Sequence, residues 1–554
     1  MKALIVLAVF IVLSIQGAAF GYEKAGPVDF TLEPILSSEW VCYIQNGDLY
    51  VKKYGSAPVI ARSTKDANAS IQNPDLQVAG NLILIAWIEK SAGRKRVLFR
   101  VSHDGGRSFG DATKLNSDTD AAYLTVVIDN KGCIYILDGV MGEKSVLNIN
   151  LSVDMGMTFK RYPIGIDNLD ALYNLSPLVV NGSLYLFLSG LSDGKKVVGV
   201  SEIELQSMKV KNTAVLRNTE GVSFIEALRI QDSPAFLYKT TREGIFVLEG
   251  FVKGNAGYEF FSIKDTEGLD IARIDWHAWD DGRIVIVFSG EKKEKFKQRI
   301  YAAVSEDIAR NWDVRRIDHK EFDNTRAWLP RIAVDDDNVL AVWEDSRDIR
   351  SGVRMKLSPD RGKTWRDIAI PLSDKKRFAF RPRISSSSHN FYVAWHLFRD
   401  DEKKTADLIV SKLKWHDAVK MASKKESGIR ADRKEAMLRE RVNTYWKGMM
   451  KKDNKITYAI HDPFYRAKIP YDNYAARPSP MVYHAYGIEG ITTEGNIATV
   501  KLKITYDVPK LMIQGKEKSI PMKEVVADDV YLFIDNKWYR KFVDVMSNGS
   551  AIDY

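Results

Sequence analysis

Cysteine is almost missing from this chain: 554 residues contain only Cys42 and Cys133, each in an apolar strand-like stretch (Trp40-Val41-Cys42-Tyr43 and Gly132-Cys133-Ile134-Tyr135). A disulfide framework is excluded, and because the two fall in different repeats they read as buried free thiols. No Cys/His spacing suits a metal, and there is no phosphate loop and no Ser/His/Asp order, so neither a metal nor a cofactor is expected. Long apolar runs are also missing. The one candidate, Ala3 to Ile15, is shorter than the ~20 residues that span a bilayer. It follows Met1-Lys2 and leads into Gln16-Gly17-Ala18-Ala19-Phe20-Gly21, the three parts of a signal peptide over 1–21, with a mature chain starting near Tyr22. No cysteine follows the run, which argues against a lipoprotein. The expectation is export to the periplasm or the outside, with no membrane span after cleavage. The +9 formal charge, 81 Lys and Arg against 72 Asp and Glu, is spread along the chain and suits anionic material. No aromatic and basic recognition motif accompanies it, so nucleic acid is not an expected partner.

What the chain does have is a repeated phrase, Ser-x-Asp-x-Gly-x-Ser/Thr-Phe/Trp. It occurs at Ser102–Phe109, Ser152–Phe159 and Ser358–Trp365, with an eroded copy at Ser305–Trp312 that keeps Asp307 and the aromatic but loses the Gly. An Asp that accepts backbone N–H groups, a Gly for the positive-φ position and an aromatic plug describe a tight hairpin turn. Strand-like runs broken by Asn-Gly and Asp-Gly turns extend from about Trp40 to Trp415, with helical periodicity almost absent. Inner-strand starts fall near Pro74, Leu124, Pro177, Ile225, Arg273, Pro330 and Pro382, at a period of about 50 residues that suits four-stranded blades. The phrase resembles the Asp-box (BNR) repeats of the sialidase superfamily. That resemblance implies a mainly β fold, a β-propeller over 22–417; it leans to six blades, and the seven inner-strand starts make seven the preferred count. It makes Asp104, Asp154, Asp307 and Asp360 structural residues on outer turns. The leading strands Trp40–Ile44, Leu49–Tyr54 and Val59–Arg62 lack a Pro-led inner strand and are expected to complete the last blade, closing the ring.

From 418 to 434 the composition turns to Lys, Ser and Ala and reads as a linker. After it Leu438, Val442, Tyr445, Trp446 and Met449 recur at helical spacing, predicting one amphipathic helix of about five turns. Strands are expected at Val482–Ile488, Ala498–Tyr506, Val530–Ile534 and Trp538–Val545. Helix followed by curved sheet over 435–554 resembles the nuclear transport factor 2-like (SnoaL-like) fold, a small α+β cone that implies a pocket or a dimer surface.

A working sialidase would, by resemblance, hold its substrate carboxylate with three arginines and use a Tyr nucleophile with a Glu partner and an Asp acid/base. The early Phe/Tyr-Arg-Ile-Pro motif is missing; the corresponding strand reads Asn73-Pro74-Asp75-Leu76-Gln77. Arg331 and Arg383, with Arg273 and Arg381, are candidates for an inner rim, although Arg-Ile after Pro is also the plain script of an inner strand. Asp280 and Glu344 are the candidate acids. Trp276, His277 and Trp279 are candidates for sugar stacking, against a reading as blade packing followed by an Asp280-Asp281-Gly282 turn. Glu344-Asp345-Ser346-Arg347-Asp348 reads first as a solvated charged loop, and Asp335-Asp336-Asp337-Asn338 as a hairpin turn. His461 and Asp462 suit acid/base work near Tyr465 and Tyr483, but a capping role for the His461-Asp462-Pro463 turn is preferred. The function expected is an exported, non-catalytic glycan- or protein-binding scaffold. The alternatives are a sialidase-like hydrolase of acidic glycans and an envelope assembly factor that dimerises through its tail.

Overall fold

The computed structural model describes residues 22–29, 32–63, 69–115, 121–143, 145–166, 169–292, 297–319, 325–367, 369–399, 405–423, 430–476, 479–513 and 516–541. The signal-peptide segment lies outside them. The described chain is mainly β, built from nine four-stranded antiparallel sheets, eight of which precede the helices. The second strand of a sheet shows why. Leu82 to Ile88 and Asn390 to Phe398 are buried at every residue, so these runs are almost wholly apolar, Asn390 and His396 apart, because each is covered on both faces by neighbouring sheets. Trp87 and Trp343 are among the largest side chains wholly removed from water, each a gain of about 2–3 kcal/mol.

Each adjacent pair of sheets shares its own apolar layer. Trp40, Cys42 and Val51 of the first meet Leu76, Ile85 and Trp87 of the second. Val285 and Ile300 of the sixth meet Ile332 and Trp343 of the seventh. The series closes where Ala25, Ala394 and Leu408 of the eighth sheet pack with Val41 and Tyr43 of the first. First strands of successive sheets lie side by side, and that of the eighth touches that of the first. This ring of sheets is compatible with a β-propeller.

The leading segment departs from expectation. Its strands do not complete the last repeat; Trp40–Gln45, Asp48–Lys53 and Val59–Arg62 form a sheet of their own behind a three-residue inner strand, Ile35–Ser37. Pro34 does stand directly ahead of that strand, but its three residues are too few to show a strand pattern in the sequence, and eight sheets stand where six or seven blades are expected. Closure is made instead by Tyr22–Val28, which pairs antiparallel with Ala406–Leu413 as the outer strand of the eighth sheet. The free edge of a last blade is thereby paired. Cys42 is buried in the first sheet and Cys133 half-buried beside the third, both as free thiols; burial pushes the Cys42 thiol up to about 12.

All four Asp-box turns form with one hydrogen-bond pattern. In the box at Asp154, Ser152 Oγ donates to Oδ1 at 2.7 Å, the Thr158 N–H to Oδ1 at 2.9 Å and the Thr158 hydroxyl to Oδ2 at 2.6 Å. The eroded copy repeats it with Asn311, whose N–H donates to Asp307 Oδ1 at 2.8 Å, and with Ala309 in the Gly position at φ 64°. The glycine also permits docking: a Cβ on Gly106 would sit 2.0 Å from the Trp40 ring of the preceding sheet.

The first helix overlaps the stretch expected to be linker. Helix α1 (Trp415–Ala422) packs Trp415 and Val419 on the layer between the seventh and eighth sheets. Helix α2 (Ala431–Met450) buries Leu438, Val442, Tyr445 and Trp446, four of the five residues that the periodicity selects; Met449 is half-buried. Short helices α3 (Asn454–Ile460), α4 (Pro463–Lys468) and α5 (Tyr471–Ala475) follow. The last sheet, Val482–Glu494, Ile497–Ile513, Lys516–Ile534 and Lys537–Arg540, covers α2. The two parts touch directly: Phe378 packs on Phe464 with ring centres 5.4 Å apart, and Asn496 Nδ2 donates to the Arg347 carbonyl at 2.7 Å. Among the described residues no helix is long and apolar enough to cross a membrane.

Candidate functional site

Several inner strands are irregular in the same way. Asn73, Leu329 and Arg381 take left-handed backbone conformations (φ 45°, 51° and 54°), and the ladder skips at each between Gln72 and Asp75, Trp328 and Arg331, and Phe380 and Arg383. Each is followed by a proline, Pro74, Pro330 or Pro382, which lacks an N–H and is tolerated because a bulge leaves no ladder bond to make. The residue after each proline is Asp75, Arg331 or Arg383. The pairing register puts Thr125, Ser176, Glu226 and Asp275 at the same level of their own inner strands, opposite the middle of the second strand. All seven are half-buried, as expected of side chains around the centre of a ring.

Some of these polar groups serve the inner edges, where backbone N–H groups have no strand to pair with. The Val126 N–H donates to Asp75 Oδ2 at 2.8 Å, the Ala227 N–H to Ser176 Oγ at 2.9 Å and the Ile332 N–H to Asp275 Oδ2 at 2.9 Å. Basic side chains gather on one side of the ring. Arg273, Arg331 and Arg383, from the sixth, seventh and eighth sheets, converge on the carboxylate of Glu33, just ahead of the first sheet. Arg383 pairs with Glu33 Oε2 and donates Nε to the Pro34 carbonyl at 3.2 Å. Arg273 and Arg331 stand at 3.8 and 3.9 Å from the two carboxylate oxygens. Burial pulls the Arg383 guanidinium down to about 10. Burial likewise lowers Arg331, which Asp275 and Glu226 partly offset. Glu226 is pushed up to about 7, first by burial and then by Asp275, against the pull of Arg331 and Arg273.

Three of the four candidate arginines, Arg273, Arg331 and Arg383, thus meet. Arg381 sits on the bulge, and its N–H lies 3.3 Å from Glu344 Oε2. Glu344 is buried, accepts the Ser351 hydroxyl at 2.8 Å, and is pushed up to about 7 by burial. The segment after it is no solvated loop: Asp345 and Arg347 are buried as a two-pronged pair at 2.8 and 2.6 Å. Arg350, also buried, reaches Asp535 of the tail sheet at 3.3 Å. Burial of this charge cluster follows from its position under the tail, which its composition does not announce.

Asp280 is exposed on the turn closed by the Gly282 N–H and the Trp279 carbonyl. Trp276 packs on the layer between the fifth and sixth sheets, and Trp279 on the next. Trp279 donates Nε1 to the Asp336 carbonyl at 2.9 Å and lies 5.2 Å from Arg361, which belongs to an Asp-box turn. His277 meets Trp279 edge-on at 4.7 Å, and burial, with Arg361 adding to it, lowers its imidazole below the usual range. This group lies on the Asp-box side of the ring. Asp335–Asn338 forms the expected hairpin turn; Asp335, Asp336 and His389 approach one another there, the last two exposed.

In the tail, Asp462 caps α4 by accepting the Tyr465 N–H at 2.8 Å. His461 lies among Tyr445, Tyr465 and Tyr474, pushed down to about 3 by burial and by Arg540. Tyr483 packs edge-on against Trp446 at 5.3 Å.

Glu33 and Glu226 were not singled out from sequence. The period of about 50 residues that relates Asp75, Thr125, Ser176, Glu226 and Asp275 was a usable signal for Glu226. Glu33 stands directly ahead of Pro34 and the three-residue inner strand of the first sheet, which the spacing of the inner-strand starts did not mark.

No family model matches the chain, and no curated protein matches it. Among solved structures it is similar to an ulvan lyase described as a new family of polysaccharide lyase, at 11% identity over 73% of this chain and 99% of that one, with a TM-score of 0.41. It is also similar to the NanB sialidase from Streptococcus pneumoniae, at 10% identity over 65% and 71%, TM-score 0.34. A Trypanosoma rangeli sialidase follows at 8% identity over 77% and 85%, TM-score 0.32. These neighbours are sialidases and a polysaccharide lyase, all at low identity.

Proposed function

We propose that this protein is an exported binding module whose ring captures a carboxylate-bearing ligand, an acidic glycan or an acidic protein segment, without turning it over. In this reading residues 1–21 are removed on export, and residues 435–554 form a cone-shaped domain that mediates assembly. The observation that carries it is the convergence of Arg273, Arg331 and Arg383, from three consecutive inner strands, on a single carboxylate. Guanidinium groups match a carboxylate in charge and in hydrogen-bond geometry.

The hydrolase reading draws on the same arginines, with Tyr123 and Glu226 nearby. Against it stands the state of the phenol. Burial, with Asp75 and Glu226 adding to it, raises Tyr123 far above the usual range, and its hydroxyl faces the Leu175 carbonyl at 3.4 Å. A nucleophile needs the opposite shift.

The test is calorimetric titration of the mature chain with sialyllactose and with a glucuronate oligosaccharide, beside a fluorogenic sialoside assay. The expected result is saturable binding of at least one acid, lost in Arg331→Ala and in Arg383→Ala, with no turnover. Turnover abolished by those substitutions would overturn the binding reading in favour of a glycosidase.

A further inference from the structure

The occupant of the arginine cluster belongs to the protein itself. Glu33 sits on the connection that leaves the outer strand of the eighth sheet (Tyr22–Val28) and enters the inner strand of the first (Ile35–Ser37), a path from the rim of the ring to its centre. The start of this path is fixed: the Asp29 N–H donates to the Ile44 carbonyl at 2.9 Å, and the Asp29 carboxylate accepts the Gly47 N–H at 3.0 Å. Its end is held by Arg383 on the Pro34 carbonyl. Between these ties the Glu33 side chain reaches into the cluster.

Two features distinguish this contact from a sealed structural ion pair. The Glu33 side chain keeps 25% of its surface exposed and Arg273 keeps 52%, so the cluster opens to solvent. The fit is also incomplete. Charge-assisted N–H to carboxylate bonds close to about 2.7–2.9 Å, and Arg273 and Arg331 stand well beyond that, at 3.8 and 3.9 Å. Only Arg383 is in full contact.

We infer that Glu33 is an internal ligand: it occupies the carboxylate subsite and must be displaced before an external acid binds. The inference rests on the carboxylate-binding reading and adds a competitor that sets its affinity. A site whose open state is populated a tenth of the time binds about tenfold more weakly than the open site, and a tethered group acts at an effective concentration in the millimolar range. Ligands that bind through the carboxylate alone are therefore disfavoured, and those that make further contacts on the ring face are favoured.

The test uses the full mature chain as wild type, Glu33→Gln and Glu33→Gln/Arg383→Ala, titrated with free N-acetylneuraminic acid, glucuronic acid and, as a neutral control, glucose. Glu33→Gln keeps the shape of the side chain and removes the charge; a thermal melt establishes that each variant is folded. The expected result is acid binding at least tenfold tighter in Glu33→Gln than in wild type, no change for glucose, and loss in the double variant. If wild type and Glu33→Gln bind an acid equally while Arg331→Ala weakens both, the competitor is overturned and the binding reading survives. If neither folded protein binds an acid, both fall, and the cluster is a structural ion group.

Discussion

A turn carboxylate that accepts several hydrogen bonds is a local device, and the Asp boxes use it four times. At Asp154 the Thr158 hydroxyl, the Thr158 N–H and the Ser152 hydroxyl hold the carboxyl down to about 2. The group is acidic in the folded chain and ordinary, near 3.9, in the unfolded one. Its stabilisation is therefore complete above about pH 4 and is lost as pH falls from about 4 to about 2. Buried acids act in the other sense: Glu226 and Glu344, raised to about 7, favour the folded state more as pH falls from 7 towards 4.5. Urea midpoints of wild type and Asp154→Asn isolate the box. The gap between them is expected to be constant from pH 6 to 5 and to shrink between pH 4 and 2.5; a gap that stays constant to pH 2.5 would show that the turn does not depend on the ionised carboxylate. The boxes were legible in the sequence because every partner lies within six residues. Glu33 was not, because its partners lie in the sixth to eighth sheets, which approach it only when the ring closes.

At the level of the element, the informative unit is the proline-bearing bulge. It turns Asp75, Arg331 and Arg383 towards the centre, and its cost is one left-handed residue ahead of each proline. Asn73 is the exposed example, and asparagine tolerates that region better than most residues. Asn73→Val places a β-branched side chain there and is expected to cost about 1–2 kcal/mol, while Asn73→Gly should stay within about 0.5 kcal/mol. Denaturant midpoints check both, and equal stability of the two variants would show that the bulge re-forms elsewhere. The prolines themselves marked the inner strands in the sequence. The register skip beside them was not readable, since alternation alone does not say which residue is left out of a ladder.

For the whole molecule the question is whether ring and tail unfold together. The layer that closes the ring between the eighth and first sheets also takes in Phe464, Leu532 and Ile534 of the tail. Phe464 is buried against Phe378 and lies 5.3 Å from Arg350, which itself reaches Asp535. Closure and docking therefore share residues, and damage to one should be felt in the other. The tail elements were legible from the spacing of Leu438, Val442 and Tyr445, but this shared layer was not, because Phe464 reads only as part of a short turn. Removing a buried phenylalanine side chain costs about 3–5 kcal/mol. Phe464→Ala concentrates that loss at the junction and leaves the apolar layer around α2 intact. Calorimetry of wild type is expected to show ring and tail melting as one transition. In Phe464→Ala the transition should split as the tail undocks. A single transition shifted downward as a whole would mean that the polar ties, Arg350 to Asp535 and Asn496 to Arg347, suffice to hold the parts together. Two transitions already present in wild type would mean that the shared layer does not couple them.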